Sequence, residues 1–241
     1  MRKKRNIIIM ETPEALAERG ASVFFERARA CVAARGIFTV ALSGGSTPRR
    51  MHRLLGREPL RSEVPWRRTH IFWGDERCVP AESRDSNYGL AKKDFLMKID
   101  IPIDHIHPMP ADVEPEKGAS LYEKEIPEIL DLIFLGLGKD GHTASLFPGQ
   151  SALEEKRKRV LAVKGGDPDV YRLTMTFPLI NSAREVVFLV SGEEKADIVK
   201  TALEGPDTKQ PAGSVKPVSG WLTWILDTDA ASRLSEEVAY G

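Results

Sequence analysis

The sequence predicts an α/β fold, a doubly wound, mainly parallel sheet flanked by helices. Short apolar runs alternate with longer amphipathic stretches, as expected of strands joined by crossover helices. The most apolar run, Leu132–Leu137, is broken only by Gly136, which marks a buried strand. Three polar clusters, Ser43–Thr47, Gly74–Arg77 and Gly138–His142, each directly follow a run. Ligands bind outside the carboxyl ends of the strands in open sheets of this kind.

The elements follow in order. Ile7–Met10 reads as a short strand, and Thr12-Pro13-Glu14 supplies a cap, a proline at the first helical position and a first-turn acid. Leu16, Gly20, Val23, Phe24, Cys31 and Ala34 recur at helical spacing, so a helix runs to about Arg35 and Gly36 ends it. Ile37–Leu42 is a strand and Pro48–Leu55 a helix. His70–Trp73 is a strand, Ser86–Met97 a helix, and His105–Met109 a brief strand. Pro115–Leu130 is helical with a late interruption at Pro127, and Leu132–Leu137 is the central strand. Beyond Gly149, strands are expected at Val160–Lys164, Arg172–Thr176, Val186–Ser191 and Trp221–Leu226. A helical turn is expected at Phe177–Ala183, a helix at Glu193–Leu203, and a last helix at the C-terminus. With no low-complexity linker and no internal repeat, residues 1–241 are expected to form a single domain.

Composition excludes several classes. Lys and Arg together number 35, as do Asp and Glu, so the basic excess of a nucleic-acid binder is missing apart from Arg2–Arg5. The apolar run after that start is too short for a signal-peptide core, and no run approaches the length of a membrane span. Cys31 and Cys78 are too few and too far apart for a disulfide framework or a cysteine-rich zinc site. A cytoplasmic protein without nucleic-acid or membrane partners, acting as a monomer, is expected.

Each cluster admits a chemical and a plain reading. Ser43-Gly44-Gly45-Ser46-Thr47-Pro48 joins a strand to a helix. Gly44 and Gly45 admit close approach, while Ser46, Thr47 and the helix N–H groups favour an anion; the alternative is a tight turn capped by Thr47. No Lys-Ser/Thr pair follows, so it is not a P-loop. In Gly74-Asp75-Glu76-Arg77, Asp75 could act as a base, orient a histidine or hold substrate hydroxyls. Arg77 could hold a carboxylate, a phosphate or an oxyanion, and the plain reading is a solvated loop with a local ion pair. Arg172 and Lys195 are each open between an anion clamp and a surface charge.

Gly136, Gly138 and Gly141 have the G-x-G-x-x-G spacing of a dinucleotide turn, but the context fails. Pro148-Gly149 arrives seven residues after Gly141, too soon for a full helix, and the next strand ends at Lys164-Gly165, not at an acid. What remains is a glycine loop presenting Asp140 and His142 at a strand end, and histidine can take and give protons near neutrality. His105-x-His107 has chelate spacing, yet no third ligand is evident and alternation along a short strand explains it.

Together these segments resemble the 6-phosphogluconolactonase family, which is related to the glucosamine-6-phosphate isomerases/deaminases. The resemblance rests on ALSGGSTP (Ala41–Pro48), FWGDERCVP (Phe72–Pro80) with SNY (Ser86–Tyr88), and LGLGKDGHTASLFPG (Leu135–Gly149). It continues through RLTMTFPLIN (Arg172–Asn181), VSGEEKA (Val190–Ala196), QPAGSVKP and WLTWILD. It implies a modified Rossmann-like sheet of the isomerase type. The implied activity is hydrolysis of 6-phospho-D-glucono-1,5-lactone, a phosphosugar lactone, without metal or cofactor. The family's catalytic histidine falls on His142, its phosphate loop on Gly44–Thr47, and its substrate-clamping arginines on Arg77 and Arg172. His142 would activate water, with Asp75 or Asp140 orienting the imidazole.

The related isomerases follow their D-G-H with a carboxylate just before a proline. Here Phe147 precedes Pro148. Aldose–ketose isomerisation needs positioned acid/base groups, so Phe147 favours the lactonase over the isomerase/deaminase. A non-catalytic phosphosugar sensor on the same scaffold is the other alternative.

Overall fold

The computed structural model describes residues 5–205 and 210–240. Of the basic start, Arg2, Lys3 and Lys4 lie outside these residues; Arg5 opens β1 (Arg5–Met10). Helix α1 (Pro13–Arg35) begins as its sequence dictates. Thr12 Oγ1 accepts from Ala15 N at 3.1 Å, Pro13 takes the first position, and Gly36 closes the helix at φ +76°. There follow β2 (Phe38–Leu42), α2 (Ser46–Leu55), α3 (Leu60–Glu63), β3 (Thr69–Trp73), β4 (Asp75–Arg77) and α4 (Asn87–Asp94). Then come α5 (Pro115–Glu125), β5 (Leu132–Leu135), β6 (Val160–Gly165), β7 (Val170–Met175), α6 (Phe177–Ile180) and β8 (Glu185–Val190). The last elements are α7 (Ala196–Glu204), β9 (Trp221–Asp227), α8 (Thr228–Ala231) and α9 (Glu236–Tyr240).

Six strands form the expected parallel sheet in the order β1-β9-β8-β5-β2-β3. The chain winds from β2 outward to β3 and then returns to place β5 on the other side of β2. The direction of winding therefore reverses between β2 and β5, which opens a crevice at their carboxyl ends. β5 is buried at all four positions, so its sequence shows no alternation. Phe24 of α1 packs against Phe38, Trp66 and Phe134, with ring centroids 5.4, 5.6 and 6.4 Å away. Burial of each such ring is worth about 1.5–3 kcal/mol, and these contacts seat α1 on the sheet.

A second, antiparallel sheet of three strands, β4-β7-β6, stands beside the first. Its strand β4 is the segment Asp75-Glu76-Arg77, which reads as a charged loop in sequence and is instead buried at Asp75 and Glu76. Glu76 tolerates burial because four donors meet its carboxylate: the N–H groups of Arg77, Asn87 and Tyr88 and the Ser86 hydroxyl, at 2.8–3.0 Å. Burial still leaves the Glu76 pKa above the usual carboxylate value. Only Gly74 separates β3 from β4. Its N–H donates to the Leu42 carbonyl (2.9 Å) in the large sheet, and its own carbonyl accepts from Met175 N (2.8 Å) in the small one.

Other departures have local causes. His105–Met109 is not a strand: Ile103–His105 forms a 3₁₀ turn, and only Ile106 bridges to Ile71 of edge strand β3. Pro102, Pro108 and Pro110 supply no N–H for a ladder. His105 and His107 share a side because both meet His70. The His70 and His105 rings stack at 3.9 Å, and His70 Nδ1 lies 3.0 Å from His107 Nε2. Helix α5 stops at Glu125, because Pro127 forces the residue before it out of the helical region. No helix among the described residues is long and apolar enough to cross a membrane.

Candidate active site

Strand β2 delivers Ser43–Gly45 to the reversal point. Gly45, at φ +97°, caps α2, which starts at Ser46, so Thr47 lies within the helix and is not its cap. No side chain occupies that cap, and the first-turn N–H groups remain available to an anion. Gly44 has no room for a side chain, since a Cβ there would lie 1.8 Å from Asn87 Oδ1. α2 and α4 are clamped together by Arg49. Its Nε and Nη2 reach the two Asp94 oxygens at 2.7 and 3.2 Å, and Arg53 joins them at 3.2 Å. Burial alone would raise the Asp94 pKa, but the two guanidiniums outweigh it and hold it below its ordinary value. This clamp fixes Asn87, at the start of α4, under the glycine loop.

The small sheet contributes two arginines. Arg77 on β4 is paired in register with Arg172 on β7. Arg77 Nη1 donates to the Asp85 carbonyl, while its buried Nε has no partner among the described residues. Arg172 is buried, with Nε on the Gly165 carbonyl (2.7 Å) and Nη2 on those of Asp167 and Pro168 (3.1 and 3.2 Å). Burial, reinforced by neighbouring Arg77, lowers the Arg172 pKa from its ordinary value. Lys195 enters just before α7 and donates from Nζ to the Leu137 carbonyl (2.7 Å). Burial lowers its pKa, with Lys139 adding to the effect. These cations face a cleft of about 290 Å³ that the glycine loop also lines, so the field there favours an anionic ligand.

Strand β5 leads into the third loop. No helix follows Gly141; the chain turns through Thr143–Leu146 and on to Gly149. His142 Nδ1 lies 2.5 Å from Asp140 Oδ1, and His142 N donates to the same oxygen at 3.1 Å. A carboxylate only accepts, so Nδ1 carries the proton of the neutral ring and Nε2 keeps the lone pair. Burial alone would raise the Asp140 pKa, but these bonds outweigh it and hold it below the carboxylate norm. Gly138 must be glycine because a Cβ would meet His142 Nδ1 at 2.0 Å and Asp140 Oδ1 at 2.6 Å. Gly136 is under no such constraint, with Ser43 Oγ the nearest atom at 3.8 Å.

Of the candidate catalytic and substrate-binding residues, Gly44–Thr47, Asp75, Arg77, His142, Arg172 and Lys195 line this cleft, and Asp140 stands behind it, holding His142 by Nδ1. Asp75 is placed apart from the imidazole pair: it accepts from the Ser145 hydroxyl (2.6 Å) and from Asn87 Nδ2 (3.3 Å). Asn87, Ser145 and Ala144 were not among the candidates. Asn87 has a signal, a polar residue following a capping serine; Ala144, a non-glycine residue at φ +48°, has none. Its left-handed backbone costs about 1–2 kcal/mol. It is held by Thr143 Oγ1 on the Gly136 carbonyl and by Ser145 N on Thr174 Oγ1. Among the described residues no three His, Cys, Asp or Glu side chains are placed to hold a metal ion.

Residues 11–224 match the family model described as glucosamine-6-phosphate isomerases/6-phosphogluconolactonase. A 6-phosphogluconolactonase of Synechocystis sp. is 42% identical, over 88% of this chain and 94% of its own. The solved structure of a Trypanosoma cruzi 6-phosphogluconolactonase is 31% identical with a TM-score of 0.85, covering 98% of both chains. A monomeric glucosamine-6-phosphate deaminase shares the fold, with a TM-score of 0.83 at 21% identity.

Proposed function

Since the chain belongs to the glucosamine-6-phosphate isomerase/6-phosphogluconolactonase family, we propose that it hydrolyses 6-phospho-D-glucono-1,5-lactone to 6-phospho-D-gluconate, with His142 activating the water. The reaction is the second step of the oxidative pentose phosphate pathway. The observation that carries this reading is the Asp140–His142 pair at the mouth of a cationic cleft, with Phe147 against the imidazole where an isomerase needs an acid.

The first-turn N–H groups of α2, with Gly44, Gly45, Ser46 and Thr47, take the 6-phosphate, and Arg172 and Lys195 neutralise it. This anchoring brings C1 to the third loop. His142 Nε2 removes a proton from water as its oxygen attacks C1, a contribution typically worth about 10²–10⁴-fold. The tetrahedral oxyanion is met by Arg77 or backbone N–H groups, where one donor is commonly worth about 3–4 kcal/mol. The bond from C1 to the ring oxygen then breaks, and the imidazolium returns its proton to that oxygen. Asp140 orients the imidazole and stabilises its charged form, while Asp75, held by Ser145 and Asn87, accepts a hydrogen bond from a sugar hydroxyl. The chain acts as one domain, since both sheets supply the cleft, and as a cytoplasmic monomer.

The test is turnover of freshly prepared lactone, corrected for its spontaneous opening, with glucosamine-6-phosphate assayed in parallel. Lactone hydrolysis without release of ammonia supports the reading. Ammonia from glucosamine-6-phosphate would place the chain in the deaminase branch, and tight binding of 6-phosphogluconate with no turnover would make it a sensor.

A further inference from the structure

Phe147 is only 7% exposed, yet it touches both parts of the cleft that hydrolysis needs held still. Its ring centroid lies 4.8 Å from that of His142, with the planes at 50°. The Arg172 guanidinium carbon stands 5.6 Å over the same ring. The β6–β7 hairpin is shaped around it. A Cβ at Gly166 would come 2.8 Å from Phe147 Cζ and 2.7 Å from Arg172 Nη2, and one at Gly165 would lie 3.6 Å from Phe147 Cδ2. Gln150, three residues on, donates from Nε2 to the Lys164 carbonyl (2.9 Å), so the turn carrying Phe147 is pinned to that hairpin.

The two neighbours depend on the ring unequally. Arg172 has its own anchors, the carbonyls of Gly165, Asp167 and Pro168. The His142 side chain has Asp140, two residues away on the same loop and half exposed. One hydrogen bond fixes one ring atom and leaves rotation about that direction; a contact against the ring removes it. Resting on the reading of His142 as the base, we propose that Phe147 is a positioning residue. Its ring sets the imidazole plane so that the Nε2 lone pair meets the attacking water, and Arg172 keeps its place without it.

Leucine is the replacement that tests this, because Phe147 Cζ faces Gly166 and a tyrosine hydroxyl has no room. In Phe147→Leu, kcat for the lactone falls about 10- to 100-fold, the scale of an ångström-sized misplacement of a reacting group. KM and the affinity for 6-phosphogluconate, read by calorimetry, stay within about threefold, a change below 1 kcal/mol. An unchanged kcat overturns the proposal. So does a loss confined to KM, which would put the ring's role at Arg172. If Phe147→Leu does not fold, Phe147→Met is judged by the same division between kcat and KM. His142→Ala, measured alongside, separates the two levels. Near-normal turnover without the imidazole removes the underlying reading, whereas an inactive His142→Ala beside a fully active Phe147→Leu removes only the positioning role.

Discussion

Two glycine-bearing loops leave neighbouring strands at the same edge of the sheet and use glycine for opposite purposes. After β2, Gly44 and Gly45 clear the way to the N-terminus of α2, where the binding groups are backbone N–H donors. After β5, Gly138 and Gly141 fold the chain tightly under one imidazole, and the working group is a side chain. The first loop is followed by a ten-residue helix and the second by none. Glycine spacing by itself is thus ambiguous, and the element that follows decides whether a loop binds with its backbone or presents a residue.

The comparison breaks most severely at His142. His142→Ala is expected to lower kcat by about 10²–10⁴-fold while 6-phosphogluconate still binds, which steady-state kinetics and calorimetry check together. Next comes a pair of glycines that the dinucleotide fingerprint would treat alike. Gly138→Ala drives a methyl into the His142–Asp140 pair and should cost about 100-fold in kcat. Gly136→Ala, with nothing nearer than 3.8 Å, should retain near wild-type rates. The first loop should fail differently. Gly44→Ala, colliding with Asn87 Oδ1, and Lys195→Ala should each raise KM about tenfold, the scale of one charge-assisted hydrogen bond, with kcat at saturation little changed. A loss in kcat instead would erase the distinction between the two loops.

A different kind of effect, on stability and not on turnover, concerns α2 itself. His52 is buried against Phe95, neither ring nitrogen has a hydrogen-bond partner among the described residues, and burial depresses its pKa from 6.5 to about 4. A histidine that must stay neutral when folded contributes its full share of stability above pH 6.5. That share is lost as the pH falls from 6.5 towards 4, by up to about 3 kcal/mol. Thermal melts of the wild type should therefore fall between pH 7.5 and 4.5 more steeply than those of His52→Leu. Parallel curves would show that His52 does not set the acid limit of the helix behind the phosphate loop.

What the residues reveal in advance follows from what burial does to a sequence. The inner strands β5 and β8 of the large sheet are apolar because both faces are covered, and α1 carries its cap, proline and terminal glycine openly. The small sheet is hidden because β4 is made of Asp75, Glu76 and Arg77. The burial of Glu76 is made tolerable by hydrogen bonds from Ser86, Asn87 and Tyr88, about ten residues away, and no local pattern records such partners. Proximity in space is equally invisible. Chain position leaves Asp75 and Asp140 as equal candidates to orient His142, and only the folded geometry gives the imidazole to Asp140 and Asp75 to Ser145. Lys195 reads equally well as a surface charge in sequence; the turn before α7 brings it to the Leu137 carbonyl.

Gly74 turns the seam between the sheets into a lever. Its amide belongs to one sheet and its carbonyl to the other, so a single residue's pair of torsions joins the two. Arg77 stands three residues out, an arm of about 10 Å along an extended strand. A swing of about 6° at the pivot moves that arm's end by about 1 Å, a displacement that can cost on the order of 100-fold in rate. With Arg77 in its proposed role, the tolerance of the reaction is angular and falls at a residue outside the cleft lining.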